Sequence, residues 1–476
     1  MPVPVILWTD ALVFLLVAAI AAYFVYVRRR PHLLIPWGRV TQSAYGMSAL
    51  VVLAGFVAIG LLDSLHYRPA LERKAGQGTA YSTEVLSVFD AVASPLRERR
   101  ERTYSAPFAP RAYARETLEI EGPDGKVRQL REFPRLTWGG SHLKEESERG
   151  RDIFVRAALG VALATLAWLA IACAVAWRHA RTTKRRLGDA WRAIWRAETR
   201  TPWRAVLITA GVLLALAGPA LALCAHYHVL GTDKVGRDVL YLALKSVRTG
   251  LVIGTLTTLV MMPFAVLLGI MAGYFRGWID DVIQYLYTTV NSIPGVLLIA
   301  AAVLLMQVYI DRHPELFPTS AQRADLRLLF LCFILGLTSW TGLARLLRGE
   351  SLKLRELEYI QAAQAFGVRD LRIITRHILP NVMHIVLISL VMDFSGLVLA
   401  EAVLSYVGVG VDPSMISFGT MINAARLEMS RDPIVWWSLA AAFFFMFTLV
   451  LAANLFADAV RDAFDPRVRV GAMAAA

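Results

Sequence analysis

Nine apolar segments run through this chain of 476 residues, and each is long enough to cross a lipid bilayer as a helix. They cover residues 6–27, 44–62, 153–177, 203–226, 250–274, 282–310, 326–347, 382–408 and 434–457. Hydrophobic residues make up 57% of the chain and charged residues only 18%, against about a quarter in ordinary soluble domains. The sequence therefore predicts an all-α polytopic membrane protein.

The net charge of +13 is concentrated in two loops. Arg28, Arg29 and Arg30 follow the first apolar segment, and the connection 178–204 carries nine Lys or Arg against two Asp or Glu. Because Lys and Arg collect in cytoplasmic loops, both loops are predicted to lie inside, with the N-terminus outside. This topology explains the basic charge without a nucleic-acid partner. Arginines after rather than before the first segment also favour a retained signal anchor over a cleaved signal peptide.

One long polar segment, 64–152, separates the second and third apolar segments. It holds 16 Lys or Arg and 14 Asp or Glu, a net charge of +2, and the topology places it outside the cytoplasm. Residues 118–121 and 126–128 flank a Gly-Pro-Asp-Gly sequence, which predicts a strand, a turn and a strand. We therefore expect a small extracytoplasmic domain here, with room for helices before the hairpin.

The cytoplasmic loop 356–381 has the pattern of two helices separated by a break. Two sets of residues at helical spacing flank Gly367, namely Ala362, Ala363 and Phe366 before it and Leu371, Ile374 and Ile378 after it. Gly367 is suited to a left-handed helix end, and Pro380 to the first turn of the next helix. Spacing alone leaves two interpretations open, a rigid element docked in a partner or a helix lying on the bilayer surface.

The same loop resembles the EAA loop of ABC importer permeases. Gln361, Ala362 and Ala363 stand where that family has Glu-Ala-Ala, Gly367 falls at the family's glycine, and Leu379 and Pro380 match its Leu-Pro ending. The resemblance extends over more than half of the chain, 204–469, and is to the dipeptide/oligopeptide permease branch. It includes, in order, the segments 230–240, 272–280, 292–295, 404–410 and 462–467.

The resemblance implies a six-helix ABC importer permease core preceded by a three-helix extension. The expected division is 1–63 (two N-terminal helices), 64–152 (extracytoplasmic domain), 153–202 (third helix and basic linker), 203–469 (core) and 470–476 (tail). The implied function is ATP-driven import of short peptides across the bacterial inner membrane. The implied partners are a second homologous permease, two ABC ATPase subunits, an extracytoplasmic solute-binding protein and the lipid bilayer.

In that family the loop 356–381 couples the permease to its ATPase. The residues expected to form the coupling loop here are Gln361, Ala362, Ala363, Gly367, Leu371, Ile374, His377 and Pro380. For His377, an ordinary surface histidine facing the ATPase is the alternative to a proton switch.

Two acids in the eighth apolar segment, Asp393 and Glu401, are candidates for the translocation path. A charge at this depth is costly and normally faces protein or water. Each either lines the path or makes a structural hydrogen bond to a neighbouring helix. Similarly, residues 291–294 either break a helix near the path or form a packing kink at Pro294.

Motifs for chemistry are missing from the sequence. It has no GxxxxGK[ST] phosphate loop, no HExxH and no paired CxxC, and Cys173, Cys224 and Cys332 lie singly in apolar runs. We therefore expect no enzyme activity, cofactor or metal site in this chain, with ATP hydrolysis on partner subunits. The alternatives are an importer of nickel, glutathione or another small polar solute, a membrane sensor or scaffold that uses 64–152, and half of an ABC exporter.

Overall fold

Within the described residues, nine helical segments have the length and apolar composition of a membrane span, in agreement with the nine apolar segments of the sequence. The computed structural model describes residues 2–29, 31–70, 81–121, 127–317 and 319–464. In chain order the helices are α1 (Trp8–Arg28), α2 (Pro31–Val40), α3 (Ala44–Asp63), α4 (Val88–Val92), α5 (Ser94–Glu98), α6 (Arg149–Thr183), α7 (Leu187–Trp195), α8 (Trp203–Cys224), α9 (Val239–Phe275), α10 (Trp278–Ser292), α11 (Gly295–Arg312), α12 (Ser320–Arg355), α13 (Glu358–Ala365), α14 (Asp370–Ile373), α15 (Leu379–Val407), α16 (Phe418–Glu428) and α17 (Trp437–Phe464). In the described residues, those with the length and apolar composition of a span are α1, α3, α6, α8, α9, α11, α12, the continuous segment α14–α15, and α17.

Several spans are longer than their apolar runs. Helix α9 begins at Val239 rather than at residue 250, and α6 begins at Arg149 rather than at residue 153. The charged residue that interrupts the run in α6, Arg156, places its Nε 2.9 Å from both carboxylate oxygens of Asp152. A charged residue that has a partner is tolerated near the end of a span. Such a charged residue therefore interrupts the apolar run of the sequence without ending the helix.

The sixth apolar segment of the sequence, 282–310, is two helices rather than one. Helix α10 ends at Ser292, and α11 begins at Gly295. Ile293 between them has an extended backbone, and Pro294 has no N–H to continue the hydrogen-bond ladder. Of the two interpretations of 291–294, the structure therefore has the helix break, and the prediction of one continuous helix over 282–310 is wrong.

The N-terminus and the polar segment share a small sheet. Strand β1 (Val3–Val5) pairs antiparallel with β2 (His66–Arg68), which pairs with β3 (Leu86–Ser87). Both regions therefore lie on one side of the membrane, as the predicted topology requires.

The predicted hairpin is present as β4 (Glu116–Glu121) and β5 (Val127–Glu132). Its turn, 122–125, lies outside the described residues, as do the end of the 462–467 segment and the tail 470–476. Before the hairpin, side chains of α4 and α5 join one hydrophobic cluster with α9 and α17, made by Phe89, Ala93, Leu96, Tyr241, Leu242 and Trp437. Because of this shared cluster, the described part of the segment is packed onto α9 and α17 rather than standing apart from them.

A buried histidine fastens the polar segment to the loop before α9. His228 Nδ1 lies 2.8 Å from Asp238 Oδ2, and Nε2 lies 3.4 Å from Glu101 Oε1. Glu101 also accepts hydrogen bonds from the backbone N–H groups of Thr137, Trp138 and Gly139. Although burial opposes charge on the imidazole, the two carboxylates raise the pKa of His228 to about 9, and hydrogen bonding lowers the pKa of Glu101 to about 2.

These pKa shifts predict a loss of stability at alkaline pH. Since the pKa of His228 is raised on folding, its stabilising contribution is complete below the unfolded value near 6.5 and disappears as pH rises through about 9. We expect the melting temperature of the detergent-solubilised chain to fall by several degrees between pH 7 and pH 9.5. His228→Gln should flatten this dependence. An equally steep fall in the variant would contradict the assignment.

A second buried cluster joins the extension to the core. On α9, Arg248 places NH2 2.5 Å from Asp10 Oδ1 and 3.1 Å from Thr9 Oγ1, and its Nε 3.2 Å from Ser64 Oγ. The backbone N–H of Thr9 in turn donates to Asp325 of α12 at 3.2 Å. Both Asp10 and Arg248 are buried. The N-terminal turn of α1 thus bridges the outer ends of two core helices.

Helices α9 and α12 pack closely along their cytoplasmic halves. A Cβ on Gly273 would lie 2.6 Å from the backbone oxygen of Arg348, and a Cβ on Gly269 would lie 2.7 Å from that of Ala344. Small residues four positions apart are the usual device for close approach of membrane helices. This packing fixes the position from which the cytoplasmic loop 356–381 leaves α12.

Candidate functional site

The loop 356–381 forms a short helical hairpin at the cytoplasmic end of α12. Helix α13 begins at Glu358, directly after α12, and is followed by Phe366 and Gly367. Gly367 has φ +72°, and the backbone N–H of Val368 donates to the oxygen of Ala363 at 3.1 Å. The predicted left-handed helix end at Gly367 is therefore confirmed. From Asp370 onward the chain is helical through a π turn, Ile374–Ile378, into α15.

Three isoleucines anchor the hairpin to the core. Ile360, Ile373 and Ile378 are fully buried, and they pack with Met261, Ala265, Tyr274, Trp340, Leu343 and Leu347 of α9 and α12. Burying three such side chains contributes several kcal/mol. The hairpin is therefore a rigid extension of these helices rather than a free loop.

The predicted apolar faces differ from the buried ones. Of the three residues predicted to share a face after Gly367, Ile378 is buried and Ile374 is half-buried, whereas Leu371 is 73% exposed. The predicted common face is therefore wrong for Leu371. The π turn widens the helix at Ile374–Ile378, so that Ile373 and Ile378 face the core together, five residues apart.

The three residues predicted to share a face before Gly367 point mainly outward. Ala362 is exposed, Ala363 is half-buried, and Phe366 is 87% exposed with open space around Gly367 beside it. Together with Leu371, these residues form an apolar surface at the cytoplasmic tip, which we call the tip surface (Ala362, Phe366, Gly367, Leu371).

The remaining loop residues support the hairpin. Gln361 is exposed and donates to the backbone oxygen of Glu356 at 3.2 Å. His377 is half-buried beside Tyr359, with ring centroids 5.9 Å apart, and its backbone oxygen accepts from Asn381 at 2.7 Å. Pro380 lies in the first turn of α15, as predicted, although the π turn makes the helix continuous across it.

Tyr274, at the end of α9, connects both halves of the hairpin. Its hydroxyl donates to Asp370 Oδ1 at 2.6 Å and accepts from Gln364 Nε2 at 3.2 Å. Its backbone oxygen accepts from Arg355, the last residue of α12, at 2.8 Å. The role of Tyr274 was missed by sequence reasoning, although the segment 272–280 marks its position.

An ion pair holds the neighbouring helix in place. Arg348 of α12 donates to both carboxylate oxygens of Asp280, at 2.6 and 2.7 Å, and so ties α12 to the start of α10. A second pair joins Arg276 to Glu356 at the start of the hairpin. The cytoplasmic ends of α9, α10 and α12 therefore form one connected unit with α13.

Glu401 is buried in a hydrogen-bond network between α15 and α16. Its Oε1 accepts from Ser405 Oγ at 2.7 Å and Ser417 Oγ at 2.9 Å, and the backbone N–H of Gly419 adds a further bond. The side chain is 1% exposed. Of the two interpretations of Glu401, these contacts favour the structural hydrogen bond over a place in the translocation path.

Asp393 lies near the middle of α15 and differs from Glu401. It is half-buried, and within the described residues it has no hydrogen-bond or ion-pair partner. Its neighbour Phe394 packs against Gly254 of α9, and Ser395 donates to Asn454 of α17 at 2.6 Å. A carboxylate at this depth that has no partner among the described residues fits a group that meets solute, water or another subunit.

This difference predicts separate outcomes for the two acids. Asp393→Asn should reduce uptake several-fold with little change in melting temperature, because the carboxylate has no internal partner to lose. Glu401→Ala should lower the melting temperature, since three buried donors lose their acceptor. Uptake assays in proteoliposomes, together with thermal denaturation, measure both. Unchanged uptake and solute range in Asp393→Asn would contradict a role in the path.

Comparison with known proteins agrees with this architecture. A family model described as "Binding-protein-dependent transport system inner membrane component" matches residues 265–470. The glutathione transport system permease protein GsiD of Pectobacterium atrosepticum is 34% identical over 244 residues, which cover 51% of this chain and 73% of that protein. The oligopeptide transport system permease protein OppC of Mycobacterium tuberculosis is 31% identical over 242 residues, which cover 51% and 77%.

Among solved structures, the MetNI methionine ABC transporter in an inward-facing conformation has a chain that matches with a TM-score of 0.35. The sequence identity is 16%, and the match covers 48% of this chain and 97% of that chain. The family match, residues 265–470, begins within α9 and includes the hairpin after α12. The chain is therefore a multi-pass protein of the bacterial inner membrane and belongs to the family of binding-protein-dependent transport system inner membrane components.

Proposed function

We propose that this chain is one of two permease subunits of an ATP-driven importer of short peptides, and that its tip surface docks on an ABC ATPase. Extracytoplasmic solute would be delivered by a binding protein. The observation that carries the proposal is an exposed apolar surface on a rigid hairpin that continues directly from α12.

The tip surface has the properties of a docking element. Phe366 exposes nearly all of its side chain at the cytoplasmic end of the protein, where a lone subunit gains nothing from exposing it. Aromatic anchors of this kind supply much of the energy of protein interfaces when they enter a partner's pocket. The small residues Ala362 and Gly367 beside it allow close approach of the partner's backbone.

The anchoring of the hairpin supports transmission of motion. Because Ile360 and Ile373 are buried against α9 and α12, a push on α13 moves these helices rather than bending the loop. Tyr274 adds hydrogen bonds that hold α13 and α14 at a fixed angle. Movement of the ATPase would thus change the arrangement of the spans around the path.

The solute class is inferred from the relatives and from Asp393. The relatives are named as oligopeptide and glutathione permeases, and glutathione is itself a short peptide. A half-buried carboxylate without an internal partner offers an acceptor for the ammonium or amide groups of such solutes. A glutathione importer is the second candidate, because the relative that is 34% identical, GsiD, is named as a glutathione permease.

Purification in mild detergent from the native membrane tests the assembly. We expect mass spectrometry to recover a second permease and ABC ATPases, and a co-purifying binding protein would supply the solute. Recovery of the chain alone, from a preparation in which other multisubunit membrane complexes stay intact, would contradict the proposal.

Tyr274 provides a more local test. Tyr274→Phe keeps the ring packed but removes both hydroxyl contacts, so we expect a several-fold fall in solute transported per ATP hydrolysed, with little loss of stability. Tyr285→Phe on α10 is the matched control, because that side chain is exposed and its hydroxyl has no partner in the described residues. If the two variants transported the same amount of solute per ATP hydrolysed, a coupling role for the Tyr274 hydroxyl would be excluded.

A further inference from the structure

A strongly basic cytoplasmic platform extends from the end of α6 through α7 to the start of α8, far along the chain from the tip surface. It consists of α7 and its flanking residues, 178–204, with nine Lys or Arg and two Asp or Glu. All nine basic side chains are exposed, and in the described residues only Arg192 forms an ion pair, with Asp189 at 3.5 Å. So much uncompensated positive charge on a fixed surface calls for an anionic partner.

Helix α7 is held firmly at the membrane boundary. Its residues Ala190, Ala193 and Ile194 are buried, and Ile194 packs with Ala176 of α6 and Leu207 of α8. The indole of Trp168 donates to the backbone oxygen of Leu207 at 2.7 Å, and Trp195 lies beside it with ring centroids 6.3 Å apart. The platform is therefore built on the ends of two membrane spans.

The surroundings of the platform face lipid. On α6, Phe154, Leu163 and Leu166 are largely exposed, as are Val212 and Leu216 on α8, so the outer surface of this helix pair meets acyl chains. At the cytoplasmic end of α6, Trp177 is 52% exposed and the guanidinium of Arg181 lies 4.8 Å from its ring centroid. A tryptophan next to an arginine is typical of the membrane–water interface, at the level of the lipid headgroups.

From this geometry we propose that the platform (178–204) binds the headgroups of anionic phospholipids of the cytoplasmic leaflet. The exposed cations contact the phosphates while Trp177 and Leu187 lie among the upper acyl chains. An acidic protein surface is the other possible partner, but the headgroup depth of Trp177 and the lipid-facing flanks of α6 and α8 favour lipid. The proposal concerns a surface outside the family match and does not depend on the coupling role.

Native mass spectrometry of the purified full chain, titrated with phosphatidylglycerol or phosphatidylcholine, tests this proposal. The test variant replaces four exposed cations by glutamine, namely Arg181, Lys184, Arg185 and Arg186. The control variant replaces four exposed cations of the extracytoplasmic segment by glutamine, namely Arg100, Arg131, Lys144 and Arg151. Both variants lose the same charge, and cysteine-accessibility labelling verifies that each keeps the parental topology.

We expect the test variant to bind phosphatidylglycerol at least about tenfold more weakly than the parent, because each cation near a lipid surface contributes to affinity. The control variant should bind like the parent, and phosphatidylcholine should bind weakly to all three. Equal phosphatidylglycerol affinity in parent and test variant, or equal losses in both variants, would overturn the proposal. The proposal would also be overturned if the test variant lost a co-purifying protein while its affinity for phosphatidylglycerol stayed unchanged. That result would identify a protein as the partner of the platform.

Discussion

Gly367→Arg is expected to reduce ATP-driven solute uptake by at least about 100-fold, the scale of an interface hot spot, while the protein still inserts and remains folded. Gly367 is exposed, and a Cβ at this position would meet no heavy atom within 4 Å in its own subunit. A long charged side chain is therefore accommodated by the free permease but not by a partner packed against the tip surface. Uptake into proteoliposomes containing the whole transporter measures the effect.

Gly367→Ala is the matched control for this variant. Both replacements place a Cβ on a residue with φ +72°, so both carry the same backbone strain of about 1 kcal/mol. They differ only in the bulk and charge that project into the partner. If alanine reduced uptake as much as arginine does, backbone strain rather than docking would be responsible, and the assignment of the tip surface would fail.

The location of the candidate site follows from local sequence patterns. Runs of apolar residues give the nine spans because a bilayer of fixed thickness requires a fixed length of helix. The hairpin follows from Gly367, whose positive φ is confirmed, and from the Leu-Pro ending before α15. Such features depend on a few neighbouring residues, so one sequence is sufficient to predict them.

The buried faces of the hairpin could not be predicted in the same way. A regular helix was assumed for residues 371–378, whereas the chain adopts a π turn there and exposes Leu371. Helical spacing has no signal for a π turn, which depends on how the segment packs against α9 and α12. The roles of Glu401 and Tyr274 also depend on partners from distant parts of the chain, Ser417 and Asp370.

The same limit applies to the extension. Arg248 lies in α9, just before the apolar segment 250–274, and its partner Asp10 is 238 positions away in the sequence. Charge counts predict the side on which each loop lies, but they give no indication that α1 is attached to α9 and α12. The extension lies outside the family match, yet in the structure it completes a buried charge cluster of the core.

Arg248→Met should therefore destabilise the whole permease, by about 3–5 kcal/mol, the usual effect of removing one partner of a buried ion pair. Among the described residues, the change leaves the buried carboxylate of Asp10 with His66 alone, at 2.7 Å, and it removes a hydrogen bond to Ser64. We expect the melting temperature of the purified protein to fall by on the order of 10 °C. The matched control is Arg237→Met, which breaks a partly exposed pair with Asp233 on the same side of the membrane and should cost less than about 1 kcal/mol.

A double variant separates the ion pair from simple loss of packing. In Arg248→Met with Asp10→Asn, the second change removes the charge that the first leaves uncompensated, so the double variant should be more stable than Arg248→Met alone. If the extension were only appended to the core, Arg248→Met and Arg237→Met would have the same melting temperature. Adding Asp10→Asn to Arg248→Met would then not raise the melting temperature. Recovery in the double variant would instead mean that the permease requires its extension. Deletion of residues 1–63 would remove Asp10 and leave the guanidinium of Arg248 without this partner at the outer ends of α9 and α12.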